Sequence, residues 1–245
     1  MQNNKKKLKS IALICCRGGS KGIPDKNIKI FSGRPMLYWT IESAINSNVF
    51  DEIILSTDSA KIAKVAKSFN ITIPGLRPAY LAKDDSDQFD THKYIFDKLK
   101  ISDENHIVCV INNNPFIDAE IIRKSFKLAK ENDFQRLVVD STKVEGDYVF
   151  WKQNFLEEGS LKLHYPDLYK NSQMNRQTIK PSYVNIYNIK LAKPSILSSF
   201  NAFKEEILSE GAIPCWLPKT KNFDIDDMED WLIAESVFNF LYADS

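Results

Sequence analysis

Three cations and three glycines share one short stretch of this chain, Arg17-Gly18-Gly19-Ser20-Lys21-Gly22-Ile23-Pro24-Asp25-Lys26-Asn27. Glycine is scarce elsewhere, with 8 in 245 residues, so its concentration here has a local cause. Glycine lets backbone N–H groups approach a ligand closely, and Arg17, Lys21 and Lys26 supply charge that a phosphate would neutralise. Arg17 can grip phosphate oxygens through its planar fork, whereas Lys21 acts as a point charge. The chemistry indicated is polyphosphate binding; the plainer reading is a glycine turn with solvated lysines.

Two familiar phosphate loops do not fit. A Walker loop requires G-x-x-x-x-G-K-[ST], and Ile23 follows Gly22. A dinucleotide fingerprint requires G-x-G-x-x-G opening into a helix; the glycine spacing differs, and Pro24 pushes Ile23 towards extended geometry.

A second cluster lies near the other end, Asn222-Phe223-Asp224-Ile225-Asp226-Asp227-Met228-Glu229-Asp230-Trp231. On extended backbone Asp224 and Asp226 share a face. Two such carboxylates beside a polyphosphate suit Mg²⁺, which takes hard oxygen ligands and commonly one or two protein carboxylates plus phosphates and water. Asp227, Glu229 and Asp230 read instead as the cap and macrodipole partners of a final helix.

The elements that must position these residues alternate. The apolar run 11–14 predicts a buried strand ending in the glycine loop. A helix follows Gly33-Arg34-Pro35, with Leu37, Thr40, Ile41, Ala44 and Ile45 on one face. Residues 52–56 predict a strand, and Thr57-Asp58-Ser59 caps a helix with Ile62, Val65, Ala66 and Phe69 inward. A short strand at 71–73, a long loop over 74–90, a helix over 92–100, a strand over 106–111, a helix opened by Asp118 and a strand over 136–140 complete the series.

This rhythm predicts parallel β-α-β units and a three-layer α/β/α sandwich, with ligands beyond the carboxyl ends of the strands. From 141 to 183 the rhythm fails, and Tyr148, Phe150, Trp151, Tyr165 and Tyr169 are scattered among turns and charges. That stretch reads as a protruding subdomain or oligomer contact within a single domain over 1–245. A returning strand begins near Val184, a helix is expected over 194–208, a strand over 212–217, and a last helix carries Trp231, Leu232, Ala234, Val237, Phe238 and Leu241.

Composition narrows the function classes. With 43% hydrophobic residues the chain can bury a substantial core, and 33 basic against 32 acidic side chains give a formal charge of +1. That balance argues against nucleic acid or an anionic membrane as the main partner. Cys15, Cys16, Cys109 and Cys215 lack C-x-x-C spacing and read as reduced core thiols. Residues 1–10 are polar and lysine-rich without a following apolar segment of signal-peptide length, and no apolar run approaches the ~18 residues needed to span a bilayer, so a soluble cytoplasmic protein is expected.

With these motifs in place the chain resembles the CMP-N-acylneuraminate synthetases, cytidylyltransferases that activate sialic-acid-like sugars. The matching stretches run in family order: residues 17–27, Ser56-Thr57-Asp58, Arg77-Pro78 with Leu81-Ala82-Lys83-Asp84, Asn175-Arg176-Gln177, and Asp224-Ile225-Asp226 with Asp230. The resemblance implies a Rossmann-like fold of nucleotide-sugar transferase type, an inserted segment making a homodimer, and Mg²⁺-dependent attack on CTP by the anomeric hydroxyl of a 2-keto-3-deoxy sugar acid. It further implies that Arg17, Lys21 and Asp226 form the catalytic set. Arg17, Gly18, Gly19, Ser20 and Lys21 would hold the triphosphate, Asn27, Arg77, Ser86 and Asn113 would serve the nucleotide, Arg176 and Gln177 the sugar acid, and Asp224 and Asp226 the metal.

His92, His106 and His164 match no catalytic position of that family, which leaves a metal-bound hydroxide or a carboxylate as acceptor of the hydroxyl proton. The family pattern at the end of the fourth strand, of Gln-Pro-Thr-Ser-Pro-Leu-Arg type, is here Ile111-Asn112-Asn113-Asn114-Pro115-Phe116-Ile117. The glutamine and arginine positions hold isoleucines, so a polar contact is either missing or rebuilt from the asparagines. Val184-Asn185-Ile186-Tyr187 likewise stands where a small residue is common, which would narrow a sugar pocket. Two alternatives stand beside this one: a nucleotidyltransferase with another NTP or a sugar phosphate, and a nucleotide-binding homologue without chemistry.

Overall fold

The computed structural model describes residues 8–144, 154–158, 160–170 and 182–243. β1 (Lys9–Cys15) leads into the glycine loop, and a small hairpin, β2 (Ile30–Phe31) and β3 (Arg34–Pro35), follows it. Ser32 and Gly33, both at positive φ, form the two-residue turn that such a hairpin requires. α1 (Met36–Ser47), β4 (Glu52–Ser56) and α2 (Ala60–Ala66) come next, then α3 (Gln88–Leu99), β5 (His106–Ile111), α4 (Ala119–Glu131) and β6 (Val138–Val144).

β7 (Asn154–Glu157) and β8 (Ser160–Leu163) pair only with each other and precede the short α5 (Pro166–Lys170). β9 (Ser182–Ala192), α6 (Pro194–Leu197), α7 (Phe200–Ser209), β10 (Ile213–Trp216) and α8 (Met228–Leu241) complete the chain.

Six strands form the main sheet in the order β10-β6-β9-β5-β1-β4. β4, β1 and β5 are parallel, as the alternating rhythm predicts, and β10 is parallel to β6. β9 departs from the wholly parallel expectation: it runs antiparallel between β5 and β6. Its apolar pattern announces burial on both faces, which fits a central strand of either direction.

One face packs Leu37 and Ile41 of α1, Ile62 of α2, and Ile121 and Ile122 of α4 against Ala12, Ile14 and Cys109. The other packs Phe89 and Phe96 of α3, Leu197 and Phe203 against Leu13, Val108 and Val110. Each fully buried side chain of this size contributes roughly 1.5–3 kcal/mol of transfer free energy. The result is the three-layer α/β/α arrangement. α8 closes a third cluster, in which Trp231 and Phe238 meet Phe31 edge-on.

Caps explain where several helices begin. Ser59 accepts from the Ile62 N–H, Asp118 from Ile121, and Asp227 from Glu229 and Asp230 in a full capping box. α3 begins at Gln88, earlier than the apolar spacing indicates, because Asp87 caps it. The helix expected over 194–208 is two pieces, since Ser199 caps a second start. Residues 71–73 contribute only a single parallel bridge from Thr72 to Ile54. Among the described residues no helix is long and apolar enough to cross a membrane.

Candidate active site

The site begins where β1 ends. The Cys16 N–H still reaches the Ser56 carbonyl at 3.0 Å, after which the chain turns out as the glycine loop at the carboxyl ends of β1, β4 and β5. The Gly18 N–H donates to Asp58 Oδ1 at 2.9 Å. That carboxylate is itself held from the inside, because Arg77 Nη2 lies 3.6 Å from the same oxygen. Arg77 is buried, donates to Thr91 Oγ1 at 3.3 Å, and gives its backbone N–H to the Thr57 carbonyl at 2.7 Å. A buried guanidinium needs such partners, and here they fix the root of the loop.

A file of amides and one hydroxyl holds the middle of the loop. Thr40 Oγ1 donates to Asn113 Oδ1 at 2.7 Å, Asn113 Nδ2 to Asn27 Oδ1 at 2.8 Å, and Asn27 Nδ2 to the Arg17 carbonyl at 2.8 Å. Asn27 therefore orients Arg17 through the backbone, and Asn113 orients Asn27. Both amides are committed to the loop as well as placed in the site.

The loop is also strapped to the segment before α8. Lys26 Nζ donates to the Ile225 carbonyl and lies 3.6 Å from Asp226 Oδ1, while Asn114 Nδ2 donates to the Phe223 carbonyl at 2.7 Å. Ile225 is buried between the exposed Asp224 and Asp226, so the two carboxylates emerge on the solvent side of an extended, unpaired segment. Asp230 Oδ2 accepts from the Asp226 and Asp227 N–H groups and fixes that segment from the other end.

These elements enclose a cleft of about 450 Å³. Arg17, Ser20, Lys21, Asn27, Asn113, Asp224 and Asp226, all expected from the sequence, line it together with Lys26, Asn112, Asn114 and Asn188. Gly18 is committed to Asp58, and Gly19 is exposed. Arg77 and Ser86 stand outside the lining: Arg77 supports Asp58, and Ser86 Oγ donates to the Tyr80 carbonyl at 2.7 Å, beside a second cavity. Arg176 and Gln177, with Tyr148, Phe150 and Trp151, lie outside the described residues.

Sequence reasoning missed the role of Asp84. Its Oδ1 lies 2.9 Å from Arg17 Nη1 and its Oδ2 2.9 Å from Lys21 Nζ, so one carboxylate bridges the two cations assigned to phosphate. The Lys21 hydrogen bond, reinforced by Arg17, holds its carboxyl below the ordinary carboxylate range. A short acidic run facing a cationic loop was the available signal.

Cys15, read as a core thiol, is half-buried at the edge of the cleft; desolvation pushes its thiol up to about 11, which disfavours a thiolate nucleophile. Cys16, Cys109 and Cys215 are buried and free. None of the three histidines lines the cleft. His92 is buried under α6 with Nδ1 3.0 Å from the Leu197 carbonyl, and His106 turns to Ser102.

The arrangement can therefore bind a polyanion between cations and bring two carboxylates to it. A family model described as cytidylyltransferase matches residues 11–207. The chain is 26% identical to a pseudaminic acid cytidylyltransferase of Campylobacter jejuni over 94% of its own length and 97% of the relative's. It is 28% identical to a CMP-N,N'-diacetyllegionaminic acid synthase of Legionella pneumophila over 94% and 96%. In fold it superposes with a TM-score of 0.67 on a CMP:2-keto-3-deoxy-manno-octonic acid synthetase solved with CTP, at 12% identity, covering 95% of this chain and 99% of that one. The matched span takes in the glycine loop, the asparagine wall and most of the sheet that presents them, and the chain belongs to the cytidylyltransferase family.

Proposed function

We propose that this cytidylyltransferase joins CTP to a sialic-acid-like 2-keto-3-deoxy sugar acid, giving a CMP-sugar and pyrophosphate. The observation that carries the reading is the convergence of Arg17, Lys21 and Lys26 with Asp224 and Asp226 on one cleft at the carboxyl ends of the parallel strands. The relatives named for pseudaminic and legionaminic acids support the choice of acceptor.

In this reaction the anomeric hydroxyl oxygen bonds to the α-phosphorus as the bond to the bridging oxygen breaks, the hydroxyl proton passes through a base to solvent, and pyrophosphate leaves. Such a transfer asks the protein chiefly for positioning and for charge opposite the non-bridging oxygens. Arg17 and Lys21 hold the triphosphate after exchanging Asp84 for phosphate oxygens, and Lys26 keeps the Asp226 segment against the loop. Two hard carboxylates with phosphate completing the shell is a donor set that magnesium takes, so Asp224 and Asp226 would hold Mg²⁺, which supplies charge neutralisation at the phosphates.

For the base, Arg77 and Ser86 are the groups we assign to the cytosine side, Arg77 through Asp58 and Ser86 on the loop that delivers Asp84. For the acid, Arg176 and Gln177 are assigned from the motif. A homodimer built through 141–183 is part of the proposal. Leu156 and Leu161, 72% and 73% exposed on the β7–β8 hairpin, and the exposed Tyr183 of β9 and Trp216 of β10, which pack on each other, favour self-association.

The test is pyrophosphate release with each NTP and Mg²⁺ against a panel of 2-ulosonic acids. Release with CTP and one such acid, and not with other NTPs, is expected. Release only with another NTP or with a sugar phosphate would replace the reading, and no release from the folded protein would reject it.

A further inference from the structure

Lys190 is a lysine inside the sheet. It is 1% exposed, on the central strand β9, and sits in the apolar run Ile189-Lys190-Leu191-Ala192. Burial pulls its ammonium down to about 8, and it is kept there by specific partners. Its Nζ donates to the Tyr187 carbonyl at 2.7 Å and lies 3.4 Å from Asn112 Oδ1.

Those partners sit at an irregularity in the sheet. From Asn185 to Lys190 β9 takes five steps while the antiparallel β6 opposite it takes only two, from Ser141 back to Val139, and Tyr187 takes a φ of 63°. A bulky residue at positive φ is strained and persists only where the surroundings hold it. Two buried charged side chains surround this bulge. Asp140, across the sheet on β6, accepts from the Ile189 N–H at 2.8 Å, while Lys190 holds the Tyr187 carbonyl.

The bulge in turn sets the wall of the cleft. Asn112 gives its backbone N–H to the Asn188 carbonyl at 2.8 Å, and its Nδ2 donates to the Tyr187 carbonyl at 3.1 Å. Lysine is a donor with no acceptor, so the oxygen of the Asn112 amide is the atom that takes its hydrogen bond, while the NH₂ turns to the Tyr187 carbonyl that Lys190 also holds. Asn112 and Asn188 both line the cleft; Lys190 and Tyr187 line the separate cavity behind them.

We propose that Lys190 is a positioning residue for cytidylyl transfer: from inside the sheet it fixes the β9 bulge and the orientation of the Asn112 amide, and so the asparagine wall that faces the glycine loop. This rests on the cleft being the nucleotide site. It gives the Asn112 position the ordered polar contact that the sequence, lacking the usual glutamine and arginine, left open.

The experiment is a double-mutant cycle of Lys190→Met and Asn112→Ala, read by kcat, by CTP binding and by the side-chain amide signals of ¹⁵N-asparagine-labelled protein. Each single variant is expected to lower kcat about 10- to 100-fold, the range for a small misplacement of reacting groups. CTP affinity should stay within about threefold because Arg17 and Lys21 are untouched, and the double variant should be no worse than Asn112→Ala alone. Additive losses would overturn the proposal, as would an Asn112→Ala variant with wild-type kcat; that variant leaves Lys190 in place and serves if Lys190→Met does not fold. The Asn112 amide signal should move in Lys190→Met without any substrate. An unmoved signal overturns the role of Lys190 and leaves the functional reading standing, whereas absent transfer in the wild type overturns the functional reading and reduces Lys190 to the positioning of Asn112 that a moved signal shows.

Discussion

Gly22 and Asp226 meet backbone to backbone: a Cβ built on Gly22 would stand 1.9 Å from the Asp226 carbonyl oxygen. No real side chain tolerates that distance, so the loop and the carboxylate segment touch only because residue 22 is glycine. Gly22→Ala must therefore push Asp226 away from Lys26 and Arg17. Turnover is expected to fall about 100-fold, as a misplacement of about 1 Å can cause, with a loss of roughly 1–3 kcal/mol of stability from overpacking. Steady-state kinetics and a denaturant titration check the two parts, and near-normal turnover would separate Asp226 from the reaction.

The bridge from Asp84 to Arg17 and Lys21 sets two opposite expectations. Lys21→Ala removes one phosphate clamp and should lower turnover by on the order of 100-fold, as loss of comparable transition-state donors does. Asp84→Asn removes the anion that the triphosphate must displace, so CTP should bind about three- to tenfold tighter at low ionic strength. That gain should shrink as salt rises, because the groups involved are exposed. Steady-state turnover checks the first and calorimetric titration of CTP at two salt concentrations the second, and weaker binding in Asp84→Asn would mean that the carboxylate serves the bound state.

His92 gives a pH prediction whose sign is fixed by burial. Desolvation lowers its pKa from 6.5 to about 3 in the fold, so the unfolded chain takes up the proton first. The stability this residue contributes is present above about 6.5 and is lost as pH falls towards about 3. Asp140, raised by burial to about 6, works in the opposite sense over part of that range, so the comparison must be made within one position. Relative to His92→Phe, the wild type should lose about 2 kcal/mol of advantage between about pH 7 and pH 5. Urea melts at the two pH values decide it, and a constant difference would contradict a buried neutral imidazole.

Much of the positioning frame was readable in the chain. The apolar run at 106–111 coincides with β5, and Ser59, Asp118 and Asp227 cap the helices that their residue types announce. The direction of β9 was not readable, since an apolar run carries no sign of parallel or antiparallel pairing, and so the insertion between β5 and β6 appears only in the fold. In the cleft, the meeting of Arg17, Lys21, Asp224 and Asp226 was legible because their charge and spacing mark them out along the chain. The placements of Asp84 and Lys190 were not, because Asp84 meets Arg17 and Lys21, and Lys190 meets Asn112, across long stretches of chain, and the Lys190 contact to the nearby Tyr187 depends on a bulge. A lone lysine amid isoleucine, leucine and alanine is nevertheless a signal that a strand interior holds a charge for a reason.

The most direct test of the cleft's chemistry is a calorimetric titration of CTP with and without Mg²⁺, on the wild type and on the Asp224→Asn/Asp226→Asn double variant. In the wild type Mg²⁺ should tighten CTP binding by about tenfold or more, and in the double variant that enhancement should vanish while metal-free binding persists. An equal Mg²⁺ enhancement in both proteins would place the metal elsewhere and contradict the joining of the two ends of the chain at one triphosphate.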